Sequence, residues 1–258
     1  MSIEWLTPDW PVPANVRALS TLRGGGISAG RYASLNLGDH VQDAPEAVAE
    51  NRRRLRAAAE LPAEPVWLTQ VHGVRIAHLD SLPPGEPPVL AAADGAVTRA
   101  PGRICAILSA DCLPVLFASE AGDAVAAAHA GWRGLAGGVI EATVSVLGVA
   151  PSSLLAWLGP AIGPGHFEVG PEVRDEIIRG DPGAGSAFEA NVRGRFMADL
   201  PGLARRRLER LGVTRIYSVS ECTHARAERY FSHRRDGRTG RQATLIWLDP
   251  ALRRPRTT

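Results

Sequence analysis

Three apolar runs of strand length stand close together in this chain, at Ile104–Ser109, 113–118 and 124–128. Ala110-Asp111-Cys112 separates the first two, and His129 follows the third. Runs of this length, bounded by turn residues, are most economically explained by a buried sheet. The chain is long enough to cover one, since 258 residues and 27.4 kDa allow one large domain or two small ones that share a core. Apolar residues at 45% and charged residues at 22% exclude the disordered, collagen-like and fibrous classes.

The rest of the chain alternates helices and strands around these runs. Residues 21–40 are rich in Gly, Ser and Asn and predict turns around short extended pieces. Asp43 is expected to cap a helix with Pro45 in its first turn, running through Leu55 and stopping near Pro62. Strands are expected at 66–71 and 74–79, broken by His72-Gly73, and residues 81–90 predict an exposed proline-rich loop. After His129 come a glycine-rich turn, a helix at Val139–Leu147, a strand at Leu154–Leu158 and a helix opened by Pro171. A helix over 200–211 precedes strands at 215–220 and 243–248, and residues 253–258 predict a frayed tail. The order is not the strict repeat of a doubly wound sheet, so the class is mixed α/β.

Charge and cysteine usage narrow the function. Basic and acidic residues number 29 and 27, a net charge of +2, too balanced for a protein whose main task is gripping nucleic acid. The sequence holds no lysine, which excludes Schiff-base and phosphate-loop lysine chemistry. Cys105, Cys112 and Cys222 form an odd, sparse set with no CxxC pair, which argues for a reducing compartment. With no signal-like start and no membrane-length apolar run, a cytoplasmic protein is expected.

Reactive side chains fall where strands meet tight turns, at His72, Cys112 and His129. If they converge, two imidazoles and one thiolate make a three-ligand zinc site with one position open. The same residues also suit a Cys112 nucleophile with His129 as base, oriented by Asp111 or Asp94. Arg133 stands at the entry to a helix, where free backbone N–H groups suit phosphate. The segment 230–241 concentrates Arg234, Arg235, Arg238 and Arg241 beside glycines, the composition of a solvated turn or an anion site.

The blocks TQVHG (69–73), ADCLPVLF (110–117), AAAHAGWRG (126–134), WLGPAIGP (157–164), FEVG (167–170) and SHRRDGRTGRQA (232–243) resemble the YfiH/YlmD family. The resemblance runs from about Leu22 to Leu248. Members of that family carry the names laccase-domain or polyphenol oxidoreductase protein, purine nucleoside phosphorylase and peptidoglycan editing factor. The implied fold is one compact domain over 1–258, of the YfiH/CNF-like cysteine-hydrolase type, with mixed sheets in α/β/β/α layers and a cleft between the sheets. By position, the implied zinc ligands are His72, Cys112 and His129. The chain departs from the family at Leu22, where a second threonine is expected, and at His224 and His233, where tyrosines are common.

The implied reaction is phosphorolysis of adenosine, inosine or guanosine to the purine and ribose 1-phosphate, with adenosine deamination as a second credited activity. Arg133, Arg234, Arg235 and Arg241 are expected to hold phosphate, and Asn36 and Asp94 to meet ribose or base. Copper is reported for the family under its oxidase label. A true multicopper oxidase needs many paired imidazoles, and seven His with no HxH pair exclude it. Two other readings stay open: a metal-free cysteine hydrolase, and a partner-binding module or editing factor acting on cell-wall precursors. Neither nucleic acid nor membrane is an expected partner.

Overall fold

The structure is a computed structural model and describes residues 2–83 and 92–252. In chain order its strands are β1 (Trp5–Leu6), β2 (Val16–Thr21), β3 (Ile76–His78), β4 (Gly95–Thr98), β5 (Ile104–Ser109), β6 (Leu113–Ser119), β7 (Val125–Ala130), β8 (Leu154–Leu158), β9 (Glu168–Val169), β10 (Phe188–Ala190), β11 (Phe196–Ala198), β12 (Arg215–Ser218) and β13 (Gln242–Leu248). The helices are α1 (Pro45–Ala58), α2 (Trp132–Gly137), α3 (Val139–Leu147), α4 (Pro171–Gly180), α5 (Leu200–Arg210) and the single turn α6 (His233–Asp236).

The apolar runs divide between two sheets. β5 belongs to an antiparallel sheet of order β1-β2-β13-β5, whereas β6 and β7 lie at the centre of a mixed sheet of order β12-β8-β6-β7-β4-β3. A small third sheet has the order β10-β11-β9. Alternation along the strands then sets the layers. Cys105 and Ile107 of β5 pack toward Leu116, Ala118, Val125, Ala127 and Trp157 of the six-stranded sheet. Ile104, Ala106 and Leu108 face the other way, onto Leu35, Leu37 and Leu55, the last from α1. Leu113, Val115 and Phe117 of β6 pack under Leu135, Ile140, Leu203 and Leu208 from α2, α3 and α5.

The result is the expected α/β/β/α order. It also explains why the runs are continuous: a strand covered on both faces has no position that meets water, and every residue of β5, β6 and β7 is buried. Along β7, Val125 and Ala127 face between the sheets while Ala126, Ala128 and Ala130 face the helices. His129 therefore takes the inter-sheet side, near the end of its strand.

Several expected elements differ. No strand spans 66–71: only Val66 bridges to Cys105, and beyond it the Gln70 side chain replaces the ladder. Its amide donates to Leu108 O and accepts from Leu108 N, each at 2.8 Å. The expected strand over 74–79 shortens to β3. Asp43 does not cap α1, whose N-cap is Ala44; its carboxylate instead accepts from Ser28 and Asn36. The glycine-rich turn after His129 is helical at once, as α2. Most of the proline-rich loop and the tail at 253–258 lie outside the described residues.

Candidate active site

His72, Cys112 and His129 converge, and their three ligand atoms all lie within 4.8 Å of one another. Each comes from a different local device. Cys112 stands in the turn that carries the chain from β5 in one sheet to β6 in the other. His129 is on β7, and His72 sits in the loop beyond Gln70 with φ of 62°, a left-handed conformation uncommon outside glycine. The Cys112 Sγ lies 3.7 Å from His72 Nε2, close to the ~3.3–3.8 Å edge of a tetrahedral zinc site with thiolate and imidazole ligands. The two imidazoles meet edge to face with centroids 4.7 Å apart. Gly131 leaves room for the group, because a Cβ there would stand 2.9 Å from Cys112 Sγ and 3.0 Å from His72 Cδ2.

Asp94 orients both histidines. Its carboxylate, fully buried, accepts the backbone N–H groups of Val71 (3.1 Å), His72 (2.8 Å) and Gly73 (2.7 Å) and lies 2.9 Å from His129 Nδ1. When the ring is neutral, as a metal ligand must be, Nδ1 donating to Asp94 turns the lone pair of Nε2 toward the cluster. Burial pushes the Asp94 carboxyl up, but the His129 bond and the N–H groups of Gly73 and Val71 outweigh it and hold it below the ordinary aspartate value. Burial likewise opposes a Cys112 thiolate, yet His129 and His72 bring that thiol down to about 6. Burial also works against a charged His129, and Cys112 and Asp94 overcome it, raising the imidazole to about 9. The donor set is that of a site for one metal ion: two imidazoles, an easily ionised thiol and a carboxylate behind one imidazole.

The cluster forms part of the wall of a cavity of about 440 Å³. Arg133, Arg234 and Arg241 line the same cavity, together with Trp132, Phe167, His40 and His233. Arg133 lies over the Trp132 ring, Arg234 over Phe167, and Arg241 donates to the carbonyls of Thr239 and Gly240. Among the described residues none of the three arginines has a carboxylate within salt-bridge distance, so their charge is free to meet an anionic ligand.

Three expected substrate contacts have their polar groups engaged within the protein. Asn36 is fully buried, with its amide engaged by Gly38, Asp43 and the Arg241 N–H, so it shapes the loop that carries Arg241. Asp94 is spent on the histidines. Arg235 turns away, its guanidinium binding the carbonyls of Thr223, His224 and Tyr230 and the Asp236 carboxylate. Conversely, Gln70, Asp111, Trp132, Phe167, His40 and His233 line the cavity without having been singled out as substrate contacts. All of them except His40 fall inside the sequence blocks that carry the family resemblance, which is the signal they share.

Comparison with known proteins bears on the same residues. A family model described as multi-copper polyphenol oxidoreductase laccase matches residues 17–249. The chain belongs to this laccase-domain family. A Pseudomonas aeruginosa member named purine nucleoside phosphorylase is 53% identical over 245 residues, covering 95% of this chain and 98% of that protein. The Escherichia coli protein named purine nucleoside phosphorylase YfiH is 50% identical over 243 residues, with coverage of 94% and 98%. Among solved structures, a Neisseria meningitidis protein has a TM-score of 0.89 at 48% identity, covering 95% of this chain and 99% of its own. YlmD from Geobacillus stearothermophilus has a TM-score of 0.84 at 33% identity, with coverage of 92% and 93%.

Proposed function

We propose that this laccase-domain protein is a zinc-dependent purine nucleoside phosphorylase. The observation that carries the reading is the His72–Cys112–His129 cluster in one cavity with three arginines free of carboxylates, in a chain about half identical to proteins named for this activity. A phosphate oxygen attacks C1′ of the nucleoside, the C1′–N bond breaks, and its electron pair leaves on the purine. Arg133, Arg234 and Arg241 hold the dianion against C1′ and offset its charge as the sugar becomes oxocarbenium-like. His72, Cys112 and His129 would hold the zinc, which would supply Lewis-acid chemistry at this end of the cavity. Asp94 keeps His129 in the tautomer that faces the cluster, and Trp132 and Phe167 give the cavity apolar walls beside its cations.

Adenosine deamination is proposed as a second activity of the same site, and the cytoplasm as the location, in keeping with three free thiols. Among the described residues no helix is long and apolar enough to cross a membrane. The deciding assay is hypoxanthine release from inosine, with and without phosphate, by zinc-analysed protein. Phosphate-dependent release that is lost on His72→Ala and on chelation supports the reading.

One observation favours a second reading: Cys112, His129 and Asp94 also form the thiol, base and orienting acid of a cysteine hydrolase. Folded, zinc-loaded protein that releases no base in either buffer, and amide hydrolysis that survives chelation, would favour that hydrolase and cell-wall precursor substrates.

A further inference from the structure

The turn between β5 and β6 carries a second acidic residue whose job differs from that of Asp94. Asp111 precedes the metal-ligand position Cys112 and holds a φ of 96°, a conformation that favours glycine. A non-glycine residue kept there in a buried turn points to a side chain that is needed. The hydrogen bonds of that side chain go to residues other than His129. Its Oδ1 accepts the Thr223 hydroxyl at 2.6 Å, and its Oδ2 accepts the Ser232 hydroxyl at 3.0 Å and the Arg234 N–H at 2.7 Å. The Asp111 carbonyl also accepts the Ile162 N–H, at 2.9 Å.

One carboxylate thus fixes both ends of the segment 223–234 to the turn that bears Cys112. The segment is stiffened from its other side by Arg235, which binds the carbonyls of Thr223, His224 and Tyr230. Its last residue is Arg234, whose guanidinium reaches over Phe167 and donates to Glu168 O at the cavity wall. The β5–β6 turn and Arg234 are thus joined through a single carboxylate.

We infer that Asp111 is a positioning residue that ties the anion-holding Arg234 to the Cys112 turn, so that phosphate is presented at a fixed place relative to the metal ligands. The inference rests on the proposed phosphorylase reading for its substrate, but its hydrogen bonds can be tested without turnover. Asp111→Gly removes the carboxylate while easing the backbone, and Asp111→Asn keeps a residue type tolerant of positive φ but loses the charge.

Both variants are expected to bind zinc with wild-type stoichiometry and to show a KM for phosphate raised about tenfold, with kcat changed far less. In an Arg234→Ala background, Asp111→Gly should add little further loss, because both changes remove the same held guanidinium. An unchanged KM for phosphate, or fully additive losses, overturns the inference. Amide exchange gives the independent arm: the Arg234 N–H should exchange slowly in wild-type protein and much faster in Asp111→Gly, while the Gly73 N–H held by Asp94 stays protected. Unaltered exchange at Arg234 overturns the inference even if the protein proves to have no phosphorylase activity. Absence of base release alongside the expected exchange pattern removes only the phosphorylase reading.

Discussion

Asp94 and Gly131 make the site's tolerances testable one residue at a time. Three backbone N–H groups and one imidazole point at a single buried carboxylate, and an amide at that position supplies one acceptor oxygen while adding two N–H donors that face other donors. Asp94→Asn is therefore expected to lower zinc affinity about 10- to 100-fold in a chelator competition and to lower the melting temperature, because the 71–73 loop loses its anchor. Gly131 tests space alone. Its φ of −66° suits alanine, so Gly131→Ala should leave the circular dichroism spectrum unchanged. The new methyl nevertheless presses on Cys112 and His72, and weakened zinc binding in an otherwise native protein is the expected outcome.

At the scale of elements, Asp181 joins α4, α5 and the turn between α4 and β10. Its carboxylate, 3% exposed, accepts both Arg206 nitrogens at 2.7 and 2.8 Å, lies 2.9 Å from Arg210 and accepts the Gly183 N–H. The Arg206 hydrogen bonds, more than any other cause, hold this carboxyl at about 2. A carboxyl depressed in the folded state stabilises above its unfolded value, and that stabilisation is lost as the pH falls through the folded one. Asp181→Asn should thus cost about 1–3 kcal/mol at pH 7. The gap between wild type and variant should close between pH 4 and about 2, read by thermal melts across that range.

Elements whose residues announce their own burial were legible in the sequence. β5, α3 and β8 have the expected bounds, and β13 falls within a residue of its own. Elements held by distant partners were not. The extended stretch after Val66 reads as a strand, yet Gln70 ties it to β5 through a side chain, an arrangement no periodicity reports. The three metal ligands stood out because each sits at the end of an apolar run. In the sequence Asp111 and Asp94 are equivalent candidates for partner of the imidazole, and only the fold separates them: Asp94 faces His129 and Asp111 faces the arginine segment. Arg234 and Arg235 are neighbours in sequence, and the helical turn of α6 sends one guanidinium to the cavity and the other to backbone carbonyls.

The two large sheets do not have separate cores. Ile107 and Ile246 of the four-stranded sheet pack with Leu116, Val125 and Trp157 of the six-stranded one, so neither sheet can open without exposing the other's inner face. The metal ligands reinforce this coupling, since Cys112 stands where the chain crosses between the sheets and His129 emerges on the face between them. We therefore expect the whole chain to behave as one cooperative domain. Trp157 is 2% exposed at the centre of the shared layer, and Trp157→Ala should cost about 3–5 kcal/mol. For a chain of this size that lowers the melting temperature by roughly 10 °C. Loss of helix signal, unfolding of the remaining tryptophans and release of zinc should move together to the lower temperature in a single transition. Two separated transitions, or zinc release that stays at the wild-type temperature, would mean that the layers unfold independently and that the site rests on one of them alone.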